Sequence, residues 1–155
     1  MIALRPMHPA EFAGYLGYFV PDYAAELVQS HGLAPDAATS RARQEIAADL
    51  PDGVATSGND LLCITGGTET LGYLWLRPDP DDGSAFIMDF HILPAQQGKG
   101  LGRAAIAALE AHLAAQGITR LRLRVAPGNA RALHLYEASG FRITGYNMEK
   151  AVTRY

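Results

Sequence analysis

Seven consecutive residues, Gln97-Gly98-Lys99-Gly100-Leu101-Gly102-Arg103, combine three glycines with two cations where an apolar run gives way to helical periodicity. Amides in the first turn of a helix have no partner inside it, and glycines let an anion come close to them, so pyrophosphate is the natural ligand. Lys99 and Arg103 add local positive charge. The same glycines would also serve a turn that only redirects the chain, and glycine content does not separate the two readings. A Walker loop is excluded, because Lys99 is followed by Gly100 rather than by Ser or Thr. Gly100-Leu101-Gly102-Arg103-Ala104-Ala105 does match Gly-x-Gly-x-x-Ala of dinucleotide-binding domains, but no Asp or Glu occurs from Ala111 through Tyr136 to hold a ribose. Arg120, Arg122 and Arg124 could meet a 2′-phosphate, which keeps an NADP-binding domain as an alternative. Their alternation with Leu121, Leu123 and Val125 equally describes a strand with one wet face.

Asp89 lies in an otherwise apolar stretch, Ala85 to Leu93. An unpaired carboxylate there would be costly, so Asp89 implies a polar cleft or a hydrogen-bonded partner. Strand alternation puts His91 on the same side. Cys63, the one cysteine, sits among Leu61 to Ile64 and reads as a small hydrophobe. His8, His31, His112 and His134 have no metal-site spacing with Cys63 or any carboxylate cluster, so no metal is expected.

These residues need a frame. Met1 to Leu4 reads as a first strand, Pro9 to Val20 as a helix, and Pro21 separates it from a second helix over Asp22 to His31. A third helix opens at Pro35-Asp36 and ends at Pro51-Asp52-Gly53. Leu61 to Thr65 and Thr70 to Leu76, joined by Gly66-Gly67-Thr68-Glu69, predict an antiparallel hairpin. Ala85 to Leu93 predicts a strand covered on both faces, near the sheet centre. A long helix follows from Leu101 to Gln116, then a strand from Arg120 to Val125, a short helix from Ala130 to Ser139 and a strand from Arg142 to Met148. Gly117 and Gly140 close the two helices. The pattern gives one α/β (α+β) domain over residues 1–155, with a mixed sheet covered by helices.

Composition narrows the partners. The chain has 155 residues, 48% of them hydrophobic, enough for one sizeable core. Thirteen Lys and Arg against sixteen Asp and Glu leave a formal charge of −3, which provides no general field for nucleic acid or anionic lipid. No run of about 18 apolar residues suggests a membrane span, and no leader pattern opens the sequence. A cytoplasmic setting is expected.

Taken with their context, Gln97-x-x-Gly100-x-Gly102 resembles the (Arg/Gln)-x-x-Gly-x-(Gly/Ala) motif of the GNAT acetyltransferases. The preceding Ile87-Met88-Asp89-Phe90-His91-Ile92-Leu93-Pro94 is similar to that family's fourth strand and its proline exit. Asn129-x-x-Ala132-x-x-Leu135-Tyr136-Glu137-x-x-Gly140-Phe141 resembles its second conserved block, in the family's order and spacing. The close resemblance covers about Gly72 to Lys150.

The resemblance implies a mixed, mostly antiparallel central sheet of six to seven strands with helices on both faces, and acetyl-CoA as cosubstrate. It implies that backbone amides of Gln97, Gly98, Lys99, Gly100, Leu101, Gly102 and Arg103 hold the CoA pyrophosphate. Phe90, His91, Ile92 and Leu93 would pair with pantetheine as with an added strand, and Asn129 and Ala132 would lie along the same arm. Asn129 serves equally well as a helix cap. Tyr136 matches the tyrosine that protonates the departing thiolate in many members, although it could pack as a core aromatic with Leu133 and Phe141. Asp89 is the candidate general base, with His91 as a second base or partner, against a buried Asp satisfied by backbone amides. Two positions depart from the family pattern: Met88 stands where many relatives carry Glu, and Gln97 where Arg is commoner.

The implied activity is transfer of an acetyl group to a primary amine of a small molecule or peptide, by direct attack in a ternary complex. In the family, acceptor choice lies in the early helices and the loop between strands six and seven, here about Phe12 to His31 and Thr144 to Tyr146. Tyr15, Tyr18, Phe19, Tyr23 and Tyr146 make that region aromatic, which suits a cationic or apolar amine. A catalytically silent acetyl-CoA-binding domain is the alternative. A monomer or homodimer is expected, with neither nucleic acid nor membrane as partner.

Overall fold

The computed structural model describes residues 1–153. Five strands form a single sheet in simple sequence order: β1 (Ile2–Pro6), β2 (Asp60–Gly66), β3 (Glu69–Asp79), β4 (Ser84–Ile92) and β5 (Arg120–Leu123). Neighbours from β1 to β4 run antiparallel, whereas β4 and β5 are parallel. Four helices complete the fold: α1 (Phe12–His31), α2 (Pro35–Asp49), α3 (Leu101–Ala114) and α4 (Ala130–Ala138).

Alternation along the strands assigns the two faces. Leu62 and Ile64, Leu74 and Leu76, and Ala85 and Ile87 pack with Ala105, Leu109 and Leu113 of α3. Their neighbours Leu61, Cys63 and Trp75 pack with Tyr15 of α1 and Ile46 of α2. Both faces are therefore covered, as a period-two apolar pattern requires.

Four expectations need correction. Five strands are present among the described residues, not six to seven. The segment from Arg142 to Met148, predicted as a strand, has no regular structure, and Ile143, Tyr146 and Met148 stay exposed. Alternation alone does not make a strand; a ladder also needs a facing edge, and this segment makes no pairing with the sheet. Pro21 does not divide two helices either, because α1 runs unbroken through it. The Gly17 carbonyl loses the bond Pro21 cannot donate, and both residues border a hollow that leaves that carbonyl within reach of water. Finally, β4 is the fourth of the five strands but is not covered on both faces throughout: Phe86 is exposed and the half from Met88 to Ile92 is only half-buried.

Candidate active site

The second half of β4 builds the site through a defect in the ladder. Trp75 faces Asp89 across the β3–β4 pair, while Leu76 faces Ile87, so Met88 is an extra, bulged residue. Before the bulge, Ala85 and Ile87 point toward α3; after it, Phe90 and Ile92 do. The parity switch turns Asp89 toward α1, where simple alternation with Ile87 would have buried it under α3. His91 lies on the same side as Asp89, since Tyr18 of α1 touches both.

Two phenols receive the Asp89 carboxylate. Tyr15 donates to Oδ2 at 2.7 Å, and Tyr18 donates to Oδ1 at 3.2 Å. Tyr15 has no exposed surface, and its ring stacks edge-on against Tyr73 of β3, with centroids 5.2 Å apart. Burial raises the Asp89 pKa to about 7, against the lowering effect of the Tyr15 hydrogen bond. Asp89 thus titrates near neutrality, as a general base should. Burial lowers His91 to about 4, so its ring is neutral at pH 7; it lies flat on Tyr18, with centroids 3.6 Å apart.

One edge of this half-strand is open. Pairing with β5 covers only Ser84 to Ile87, and from Met88 onward β4 has a strand partner on the β3 side alone. Backbone groups on such an edge are available to an extended ligand. At the far end of β4, Gln97 Nε2 donates to the Ile92 carbonyl at 2.9 Å, which ties the glycine loop to the strand. Gly98 and Gly100 have φ of 78° and 74°, a conformation that favours glycine.

Gly100 is the N-cap of α3 and gives no side-chain cap. The first amides of the helix are left free, and α3 aims its positive end at the loop. Gly102 has a different reason to be glycine: a Cβ there would come within 2.9 Å of Leu135 on α4. The cations around the loop are Lys99, Arg103 and Arg131. Lys99 donates to Gln96, Arg103 to the Ala138 carbonyl and Arg131 to Gln97. Arg131 was not singled out in the sequence, although it sits two residues from Asn129.

Asn129 caps α4, its Oδ1 accepting from the Ala132 amide at 3.1 Å. That amide is therefore already engaged. Tyr136 packs edge-on against Phe90, at 6.4 Å between centroids, and against Phe141, at 5.6 Å. No hydrogen bond within the described residues occupies its hydroxyl, and no buried polar atom there is left unpaired, so the hydroxyl opens to solvent. Burial first, and the charge of Asp89 second, raise its pKa to about 12. Tyr136 is thus a protonated phenol close enough to Asp89 to feel its charge.

A cavity of about 210 Å³ opens beside Asp89. Its walls include Phe19, Tyr23 and Trp75 together with Asp22, Glu26 and Glu45. Glu26 pairs with Arg124 at 3.0 Å and Glu45 with Arg41 at 2.9 Å, whereas Asp22 meets no cation among the described residues. Of the aromatic set expected at an acceptor site, Tyr15 and Tyr18 hold Asp89, Phe19 and Tyr23 line this cavity, and Tyr146 is exposed to solvent. A larger hollow of about 720 Å³ lies between α1 and α2, lined by Leu16, Val20 and Ala47 among others. It is mostly apolar and borders none of the chemistry-bearing residues. Arg120 and Arg122 bind Asp82, so the arginines of β5 are spent on carboxylates rather than poised for a 2′-phosphate.

An open half-strand, a free helix start, a buried carboxylate and a protonated phenol thus meet around the second half of β4. Residues 26–141 match the model of the Acetyltransferase (GNAT) family, and the chain belongs to that family. It is 34% identical over 152 residues to the uncharacterized N-acetyltransferase YycN of Bacillus subtilis, covering 96% of this chain and 97% of that one. A crystal structure of YycN superposes with a TM-score of 0.92 at 33% identity, over 99% of this chain and 100% of that one. A spermidine N-acetyltransferase from Vibrio cholerae, solved with CoA and spermine, shares the fold at TM-score 0.68 and 20% identity, over 99% of this chain and 88% of that one. Among the described residues, no helix is long and apolar enough to cross a membrane.

Proposed function

We propose that this chain is an acetyl-CoA-dependent N-acetyltransferase acting on a primary amine of a small, cationic molecule by direct attack in a ternary complex. The observation that carries the proposal is the open edge of β4 between the uncapped start of α3 and the Asp89–Tyr136 pair. Acetyl-CoA supplies the activated acyl group. The amides of Gly98 to Arg103, with Lys99 and Arg103 beside them, would hold its pyrophosphate. Phe90 to Leu93 would hold the pantetheine arm, with Asn129 and Ala132 nearby.

Asp89 takes the proton that the attacking amine must lose, and its pKa near 7 lets it do so at neutral pH. Tyr136 lends its phenolic proton to the sulfur that leaves. Direct transfer suits the site because Cys63 is wholly buried, with its thiol pKa pushed up to about 11. A cationic acceptor fits the carboxylates and aromatic rings of the cavity beside Asp89. That the Vibrio cholerae relative was solved with spermine supports the same class.

The test is CoA release from acetyl-CoA across a panel of mono-, di- and polyamines, with peptide N-termini and lysine peptides as further arms. Turnover that favours polycationic small amines is expected. Binding of acetyl-CoA without turnover of any amine would instead favour a silent acetyl-CoA-binding domain.

A further inference from the structure

We propose that Tyr18 and Asp22 form a proton path that carries the proton collected by Asp89 out to the rim of the cleft. The inference rests on Asp89 being the general base, and it assigns roles to two residues that the proposed reaction does not otherwise use.

The geometry begins with a mismatch in proton count. Tyr18 Oη lies 3.2 Å from Asp89 Oδ1 and 3.5 Å from Asp22 Oδ2, yet a phenol has a single proton to give. It therefore bridges two carboxylates and can bond fully to one of them at a time. Tyr18 and Asp22 are four residues apart on α1, which stacks them on one helical face. His91 lies against the Tyr18 ring with an interplanar angle of 13°, which fixes where the hydroxyl points.

The other oxygen of Asp89 leads nowhere. It accepts from Tyr15, which has no exposed surface and no second partner for its hydroxyl. The cavity side of Asp89 is where the acceptor would sit, so that route to water closes during turnover. The groups facing the pair are Tyr15 of α1, Tyr73 of β3, His91 of β4 and Tyr136 of α4. None of them is a cation, and Arg124, on the wall of the same cavity, is paired with Glu26 at 3.0 Å.

The step balances without a co-reactant. Asp89, protonated on Oδ1 by the amine, passes that proton to Tyr18 Oη as the Oδ1–H bond breaks. Tyr18 releases its own proton to Asp22 Oδ2, and the phenol is neutral again. Asp89 is restored as a carboxylate, Asp22 becomes the acid, and Asp22 then gives the proton to water at the rim. Burial raises the pKa of both carboxylates, which keeps either from holding the negative charge too firmly for exchange.

Carbon-13 NMR of the aspartate carboxyl carbons tests this path with the cavity beside Asp89 filled by tetramethylammonium, a cation with no proton to give and no nitrogen to acetylate, so direct exchange with water is closed and the result is independent of whether Asp89 proves to be the base. In the unaltered protein the Asp89 carboxyl should give one exchange-averaged line that moves through its titration. In Asp22→Asn, observed at that variant's own midpoint, separate lines for the protonated and ionised forms are expected, from exchange slowed at least about tenfold. Added imidazole, a mobile proton carrier, should merge them again. Tyr18→Phe should behave in the same way. A single moving line in both variants would overturn the proposal, as would splitting that imidazole does not reverse. Splitting in Tyr18→Phe alone would also overturn it, because Asp22 would then have no part. Full acetyl transfer by Asp89→Asn would defeat the base assignment instead, a result the NMR experiment cannot produce.

Discussion

Replacing Asp89 with asparagine removes a buried charge while keeping the shape of the side chain. The carboxyl titrates near 7 in the folded protein against an ordinary 3.8, mainly because burial penalises the ion. The unfolded chain therefore loses this proton at lower pH than the folded one does. Stability conferred by the neutral carboxyl is complete below pH 3.8 and drains away as pH rises to about 7. Each pH unit of that window is worth about 1.4 kcal/mol, so roughly three units give a penalty of about 4 kcal/mol at pH 8. Asparagine can still accept from Tyr15 through its oxygen and can donate to Tyr18 through its amide. Asp89→Asn is thus expected to match the unaltered protein near pH 4 and to exceed it by about 4 kcal/mol at pH 8, or roughly 10 °C in Tm for a domain of this size. Acetyl transfer should fall by about 100-fold or more in the same variant, the usual scale for loss of a general base. Denaturant unfolding of both proteins from pH 4 to pH 8 gives the stability difference directly. A difference that does not change with pH would show that the carboxyl is not held in a desolvated site, and the reasoning for its basicity would fail.

Tyr136→Phe should lower turnover about 100-fold while leaving the Kd for acetyl-CoA within about twofold, measured by steady-state kinetics and calorimetry. Because the Tyr136 phenol is pushed up to about 12, the unaltered enzyme should keep its kcat up to pH 10; an alkaline limb near 9 would assign the acid role elsewhere. Gly100→Ala meets no neighbour but must adopt φ of 74°, at a cost of about 1–2 kcal/mol, visible as a lower Tm and weaker acetyl-CoA binding. Gly102→Leu drives a side chain into Leu135 of α4 and should weaken acetyl-CoA binding further; unchanged affinity in both glycine variants would count against the cradle. Gly72→Ala places a methyl group on the His91 carbonyl across the β3–β4 ladder, so its Tm should drop far more than that of Gly14→Ala, which meets nothing.

The local geometry of the glycine loop and of the α4 cap could be read from the sequence because it depends on near neighbours along the chain. Gly98, Gly100 and Gly102 sit where backbone conformation or close packing demands glycine, and Asn129 caps the helix that follows it. The succession of strands and helices, and the antiparallel pairing of β2 with β3, followed from apolar runs and helix terminators; the parallel pairing of β4 with β5 did not. The base was legible only in part. Asp89 stood out as a charge in an apolar run, but its partners Tyr15 and Tyr18 are 74 and 71 residues away. Only the spacing of Tyr15, Tyr18, Phe19 and Asp22 along one helical face hinted at them. The Met88 bulge, which decides the face Asp89 occupies, was hidden because the apolar residues on both sides of it give no alternation from which a change of parity could be read. Pro21 misled because the carbonyl it leaves without a partner borders a hollow open to water, so α1 continues through it. The Arg142 to Met148 segment misled because alternation reports a tendency to pair, not the presence of an edge to pair with.

A crystal structure with acetyl-CoA soaked in measures the central claim most directly. The pyrophosphate should lie within hydrogen-bonding distance of main-chain nitrogens between Gly98 and Arg103, with pantetheine along the unpaired edge of β4 and the thioester between Asp89 and Tyr136. Acetyl-CoA seated elsewhere on the molecule, with that edge and loop empty, would contradict the account.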